Sequence, residues 1–152
     1  MQPIKDPAGT FAFSVPDDWE PSRVEAGDVC VDGPGHCSNV IVLAQAKQAA
    51  SLDEQVKGTR TALQHAMPSW TATEEEPREV SGHPGHLIRS VNEMAGIQML
   101  GMHLLAFTDK HEVTMSVSYP TGDAETLEPA AAQIVESLHL APAAQSPETS
   151  PT

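Results

Sequence analysis

Residues 112–120 read EVTMSVSYP, an alternation of apolar and polar side chains without a slip. A period of two places Val113, Met115, Val117 and Tyr119 on a core face and Thr114, Ser116 and Ser118 on the opposite one. A strand with one buried face needs partners, and the preceding sequence supplies them. HLIRSVNEM and IQMLGMHLLAFT read as two further strands, joined through AG and followed by the turn TDKH. TATEEEPREV reads as an exposed acidic strand, and Pro77, which has no N–H to donate, suits a sheet edge. SGHPGH between them reads as a turn.

The N-terminal part carries shorter strand signals. FAFSV sets Phe11 and Phe13 on one face and closes at Pro16 and the turn PDDW, after which Trp19 folds back on the core. SRVEAGDVCVD reads as one weaker strand. NVIVLAQ is apolar on both faces through Val40, Ile41, Val42 and Leu43, the pattern of a central strand covered on both sides.

Two segments switch to the helical period. Ser51 with Glu54 forms a capping box, and Leu52, Val56, Thr59, Leu63 and Met67 recur along one stripe before Pro68 ends the helix. The last helix carries Leu127, Ala131, Ile134, Val135 and Leu138. Thr126 as N-cap would place Pro129 in the first turn, where a missing N–H is harmless. The order is three strands, a helix, three or four antiparallel strands and a helix. This is an α+β fold, a meandering antiparallel sheet of six to seven strands with two main helices packed on it. The expected organisation is a polar arm over residues 1–9, one domain over 10–140, and a disordered Pro/Ser/Thr-rich tail over 141–152.

FAFSVPDDW at the start, SLDEQVKGTRTAL as the middle helix, SGHPGHLIR entering a strand and IVESLHL at the close together span residues 11–140. This arrangement resembles the PsbP-like fold family, which includes the photosystem PsbP subunit, the DcrB and LpqN lipoproteins and the EagR chaperones of type VI secretion effectors. The resemblance implies a non-catalytic binding module: an adaptor, an assembly factor or a secretion chaperone. The chain departs from the lipoprotein members in showing no signal and no acylated N-terminal cysteine, and from the chaperones in its cysteine pair.

Charge narrows the partners. Eight Lys and Arg against 21 Asp and Glu give a formal net charge of −13, which disfavours phosphate backbones and anionic membrane surfaces. No apolar run approaches the ~18 residues that span a bilayer. The expected partner is another protein or peptide, helical in one reading, with no nucleic acid and no membrane insertion. The expected compartment is the cytoplasm for the chain as given, and outside it if the first Met stands on a trimmed mature protein.

CVDGPGHC holds both cysteines. Asp-Gly and Pro-Gly are turn dipeptides, so Cys30 and Cys37 would face each other across a hairpin, within disulfide reach. A disulfide is the leading reading, two reduced thiols the second. A zinc site with His36 and His83 or His86 is the third, although that spacing matches no familiar metal clip. His83 and His86 read as solvated turn residues, His103 as a satisfied sheet histidine, and His65, His111 and His139 as surface positions.

Chemistry is sparse. No G-x-S-x-G elbow or phosphate-binding loop occurs, and the carboxylate runs PDDWE and TEEEPRE fall in turn or edge contexts. No catalytic residue, metal or cofactor is expected. The binding expectation falls on the methionine-bearing strand: Met94, Met99 and Met102, with Trp70 near its edge, offer an adaptable apolar surface. Rival readings are an extracytoplasmic accessory protein binding an envelope component or small ligand, and, further behind, a small metal-dependent hydrolase using the histidines.

Overall fold

The structure is a computed structural model that describes residues 1–141. Beyond Ala141 the expected tail lies outside the described residues. Ten strands and two helices follow in the order β1 (Gln2–Lys5), β2 (Phe11–Val15), β3 (Glu20–Glu25), β4 (Asp28–Asp32), β5 (Asn39–Ala46), α1 (Leu52–Ala66), β6 (Thr71–Val80), β7 (His83–Met94), β8 (Ile97–Phe107), β9 (His111–Pro120), α2 (Ala124–Glu136) and β10 (His139–Leu140). Seven strands form one antiparallel sheet in the order β3-β4-β5-β9-β8-β7-β6; β1, β2 and β10 form a second, small sheet.

The α+β class, the two helices and the long β6–β9 meander agree with the sequence reading. Three local expectations do not. Residues 2–5 of the supposed polar arm pair with β2, because Ile4 alternates inward opposite Phe13 and is buried. The stretch read as one strand, SRVEAGDVCVD, is a hairpin of β3 and β4. Its turn bends at Gly27, where φ is +74° and a Cβ would stand 2.7 Å from the Ala44 carbonyl oxygen. That conformation and that close approach both demand glycine. Finally, α2 starts at Ala124 after a 3₁₀ turn, so Pro129 sits in its second turn, exposed on the solvent side. Its missing N–H leaves the Glu125 carbonyl without its helical donor, on a stretch exposed to solvent.

The large sheet has a closed face and a half-closed one. On the first, Leu87, Met102, Leu104, Val113, Met115, Val117, Val40, Val42, Val29 and Val31 meet Phe11, Phe13 and Val15 of the small sheet, Trp19, and Ala131, Ile134 and Val135 of α2, in a single buried cluster. Tyr119 belongs to it; burial is the main cause that pushes its phenol up to about 12, and Glu128 adds to it. On the second face, α1 packs chiefly over β7 and β8, where Val56 meets Trp70, Ile88 and Leu105, and it reaches β9 through the buried Gln55 side chain, which donates from Nε2 to the Val113 carbonyl at 3.3 Å.

Candidate partner-binding face

The α1-bearing face is built by strand parity. Across the ladder the register runs Ile88, His103, Ser116, Ile41, Cys30, Arg23, and one row over Leu105, Thr114, Leu43, Asp28, Glu25. The first residues of each row lie under α1. Those from β5 onward do not, and Leu43 is 47% exposed although β5 is an interior strand. The two-faced apolar run NVIVLAQ thus found cover on one face alone: Val40 and Val42 are fully buried, Ile41 half-buried and Leu43 exposed.

Polar ties hold α1 where it is. Ser51 Oγ accepts the Glu54 N–H, while the Glu54 carboxylate accepts from Ala50 rather than from Ser51. The buried Glu112 carboxylate accepts the Gln48 N–H at 2.7 Å and the Ala49 N–H, pinning the β5–α1 connection. Arg60 pairs with Glu75 of β6, whose other oxygen accepts from His86 Nε2 at 2.7 Å. Burial, then the nearby Arg60 guanidinium, lowers the His86 pKa.

Beneath α1 lies a polar chain. His103, 3% exposed, bridges Ser90 (Nε2 to Oγ, 3.0 Å) and Ser116 (Nδ1 to Oγ, 2.8 Å). Burial lowers its pKa to about 4, so the ring is neutral near pH 7. Trp70 meets it edge-on at 5.9 Å. Space for this arrangement comes from Gly101, where a Cβ would fall 2.7 Å from Ser90 Oγ and 2.9 Å from His103 Nε2. Serine and histidine side by side invite thought of a nucleophile and its base. Here, though, no carboxylate orients the imidazole, and Ser116 sits mid-strand, where neighbouring N–H groups are committed to the ladder and cannot stabilise an oxyanion. The chain is a satisfied buried network.

The residues expected to meet a partner are divided. Met94 (53% exposed) and its cross-strand mate Ile97 (52%) project from the β7–β8 tip, and Met99 is partly exposed on the same face. The two-residue turn joining them has positive φ at Ala95 and Gly96, the geometry that matches strand twist. Met102 points the other way, into the closed core at 2% exposure, and Trp70 is buried at 3% with no acceptor for its indole N–H. Neither can touch a partner. Ile41 and Leu43 on the open half of the same face were not singled out from sequence, where they looked like interior residues.

The expected disulfide is absent: both cysteines are free, Cys30 half-buried and Cys37 exposed. The β4–β5 ladder sets Cys30 opposite Ile41 and stops at Asp32 opposite Asn39. Cys37 belongs to the connection past that last rung, already about 7 Å along the strand from Cys30 at the usual rise per residue, so the two do not face each other. His83 and His86 belong to β7 rather than to a turn; the turn is Ser81–Gly82 alone, both at positive φ. His83 is buried and donates from Nε2 to the Ala141 carbonyl at 2.7 Å. Among the described residues no three His, Cys, Asp or Glu side chains are disposed to hold a metal ion, and no helix is long and apolar enough to cross a membrane.

Neither a family model nor a curated protein matches this sequence. Solved structures do. The cyanobacterial PsbP protein CyanoP of Synechocystis sp. PCC 6803 superposes at a TM-score of 0.67 with 14% identity, over 92% of each chain. LpqN of Mycobacterium tuberculosis, described as involved in cell envelope biogenesis, gives 0.68 with 13% identity, over 93% of this chain and 90% of its own. PA94 of Pseudomonas aeruginosa gives 0.64 with 15% identity, over 95% and 99%. Coverage this complete, on chains of matching length, makes this the PsbP-like fold.

Proposed function

We propose that this chain is a non-catalytic binding module that presents its half-covered sheet face to an apolar segment of another polypeptide. One observation carries the reading: large aliphatic side chains, Leu43 on an interior strand and Met94 and Ile97 on the hairpin tip, stand roughly half exposed on the face that α1 leaves unfinished. Exposed apolar surface of this kind on a small acidic domain is the usual mark of an interaction site. A helical segment with apolar residues at i, i+3 and i+4 suits a flat sheet bordered by one helix, and the surrounding carboxylates favour a partner carrying basic residues. The structural likeness to PsbP-type and LpqN proteins agrees with an accessory role and with an absence of chemistry.

The test compares proteins retained from a lysate of the source organism by the wild type, by Leu43→Lys and by Ile97→Asp. The expected result is a partner held by the wild type and lost by both variants, with unchanged circular dichroism and melting temperature. Equal retention by all three proteins would place the contact elsewhere.

A further inference from the structure

At the end of β8 remote from the Met94–Ile97 tip, two adjoining cavities form a trough. One, of about 360 Å³, is lined by Gly9 and Thr10 of the β1–β2 turn, His83, Thr108–His111 of the β8–β9 turn, Leu140 and Ala141. The other, of about 260 Å³, shares Gly9, Thr10, Leu140 and Ala141 and extends past Phe11 and Ala12 to Lys5. The larger falls within the range of small-molecule pockets.

The cations of this acidic chain are unevenly placed around it. Among the described residues all four arginines are committed to carboxylates, Arg23 to Asp28, Arg60 to Glu75, Arg78 to Glu76 and Arg89 to Glu74. The four lysines have no such partner there, and three of them gather at this end. Lys5 and Lys110 line the trough, while Lys47 spans from the Phe107 ring, at 4.4 Å, to the Asp109 carbonyl at 3.3 Å. Two carboxylates are also present. Asp6 is spent on the backbone N–H groups of Ala8, Thr10 and Gly27; Asp109 lies on the turn at the rim. The rest of the lining sets Phe11, Ala12, Leu140 and Ala141 beside the polar Thr10, Thr108, His83 and His139. A chain of net charge −13 repels anions at long range, so lysines without carboxylate partners beside a partly apolar trough mark a local exception.

We infer that this trough binds a small amphipathic carboxylate, its acid head between Lys110 and His111 and its apolar body along Leu140 and Ala141. Amine and imidazole donors meet the carboxylate through charge-assisted hydrogen bonds, while the apolar walls take the hydrocarbon out of water. The site lies apart from the partner-binding face, and either can fail without the other.

Amide chemical shifts read by NMR during titration with octanoate, and with octanol as the uncharged counterpart, test it. The expected result is movement of Gly9, Thr10, the 108–111 turn and Leu140 with octanoate, binding at least tenfold weaker for octanol, and a similar loss in Lys110→Glu. Lys110 is exposed on a turn, and an otherwise unchanged spectrum verifies that the variant is folded. Absence of movement at millimolar octanoate, equal response to octanol, or movement centred on Leu43 and Ile97 instead would each overturn the assignment.

Discussion

The two faces of the seven-stranded sheet come from the same strands, residue by residue, yet they are finished differently. One is sealed by α2 and the small sheet, which bring Phe11, Phe13, Val15 and Ile134 down on an aliphatic floor. The other receives α1 alone, over β7, β8 and the near side of β9, with a polar chain through His103 beneath it and an uncovered strip beyond. A sheet face is closed by whatever crosses it, and a 15-residue helix covers only part of seven strands. Burial, and with it stability, concentrates on the first face. The second leaves Leu43, Met94 and Ile97 about half exposed.

Truncation on the closed face gives the largest contrast. Phe13→Ala leaves a void among side chains that cannot collapse, and should cost about 3–5 kcal/mol in urea unfolding. At the boundary, acid should separate the two faces. The His103 ring ordinarily titrates near 6.5 and here near 4, so below pH 6.5 the unfolded chain binds a proton that the folded one refuses. Stability contributed by the neutral buried ring is complete above pH 6.5 and falls by about 3 kcal/mol as pH drops to 4. His86, shifted the same way, adds a smaller part. Denaturant melts across that window should show a slope that His103→Leu makes shallower by roughly that amount. On the open half the effect should nearly vanish: Leu43→Lys, which sets a cation opposite Asp28, is expected within ±0.5 kcal/mol of wild type. A loss as large as that of Phe13→Ala would mean the strip is core after all.

Where an element's own period decided its fate, the sequence was a good guide. The alternation of β9, the stripe of α1 and its Ser51 cap, and the edge position of β6 with Pro77 all stand in the structure as read. The failures share a cause. Gly27 turning one supposed strand into a hairpin, Ile4 recruiting the N-terminal arm into a sheet, and the register that parts Cys30 from Cys37 depend on which distant residue lies opposite. For the candidate face, the hairpin-tip residues Met94 and Ile97 were legible as apolar. That Met102 and Trp70 are buried while Leu43 is exposed was not.

The order and type of the main elements and the α+β class were set by local pattern, because period, caps and turn dipeptides act within a few residues. Tertiary structure alone decided which apolar side chains stay in water and which lysines gather around a trough. Both depend on how far α1 reaches across the sheet and on which turns meet at its end, and these are outcomes of packing between segments distant in sequence.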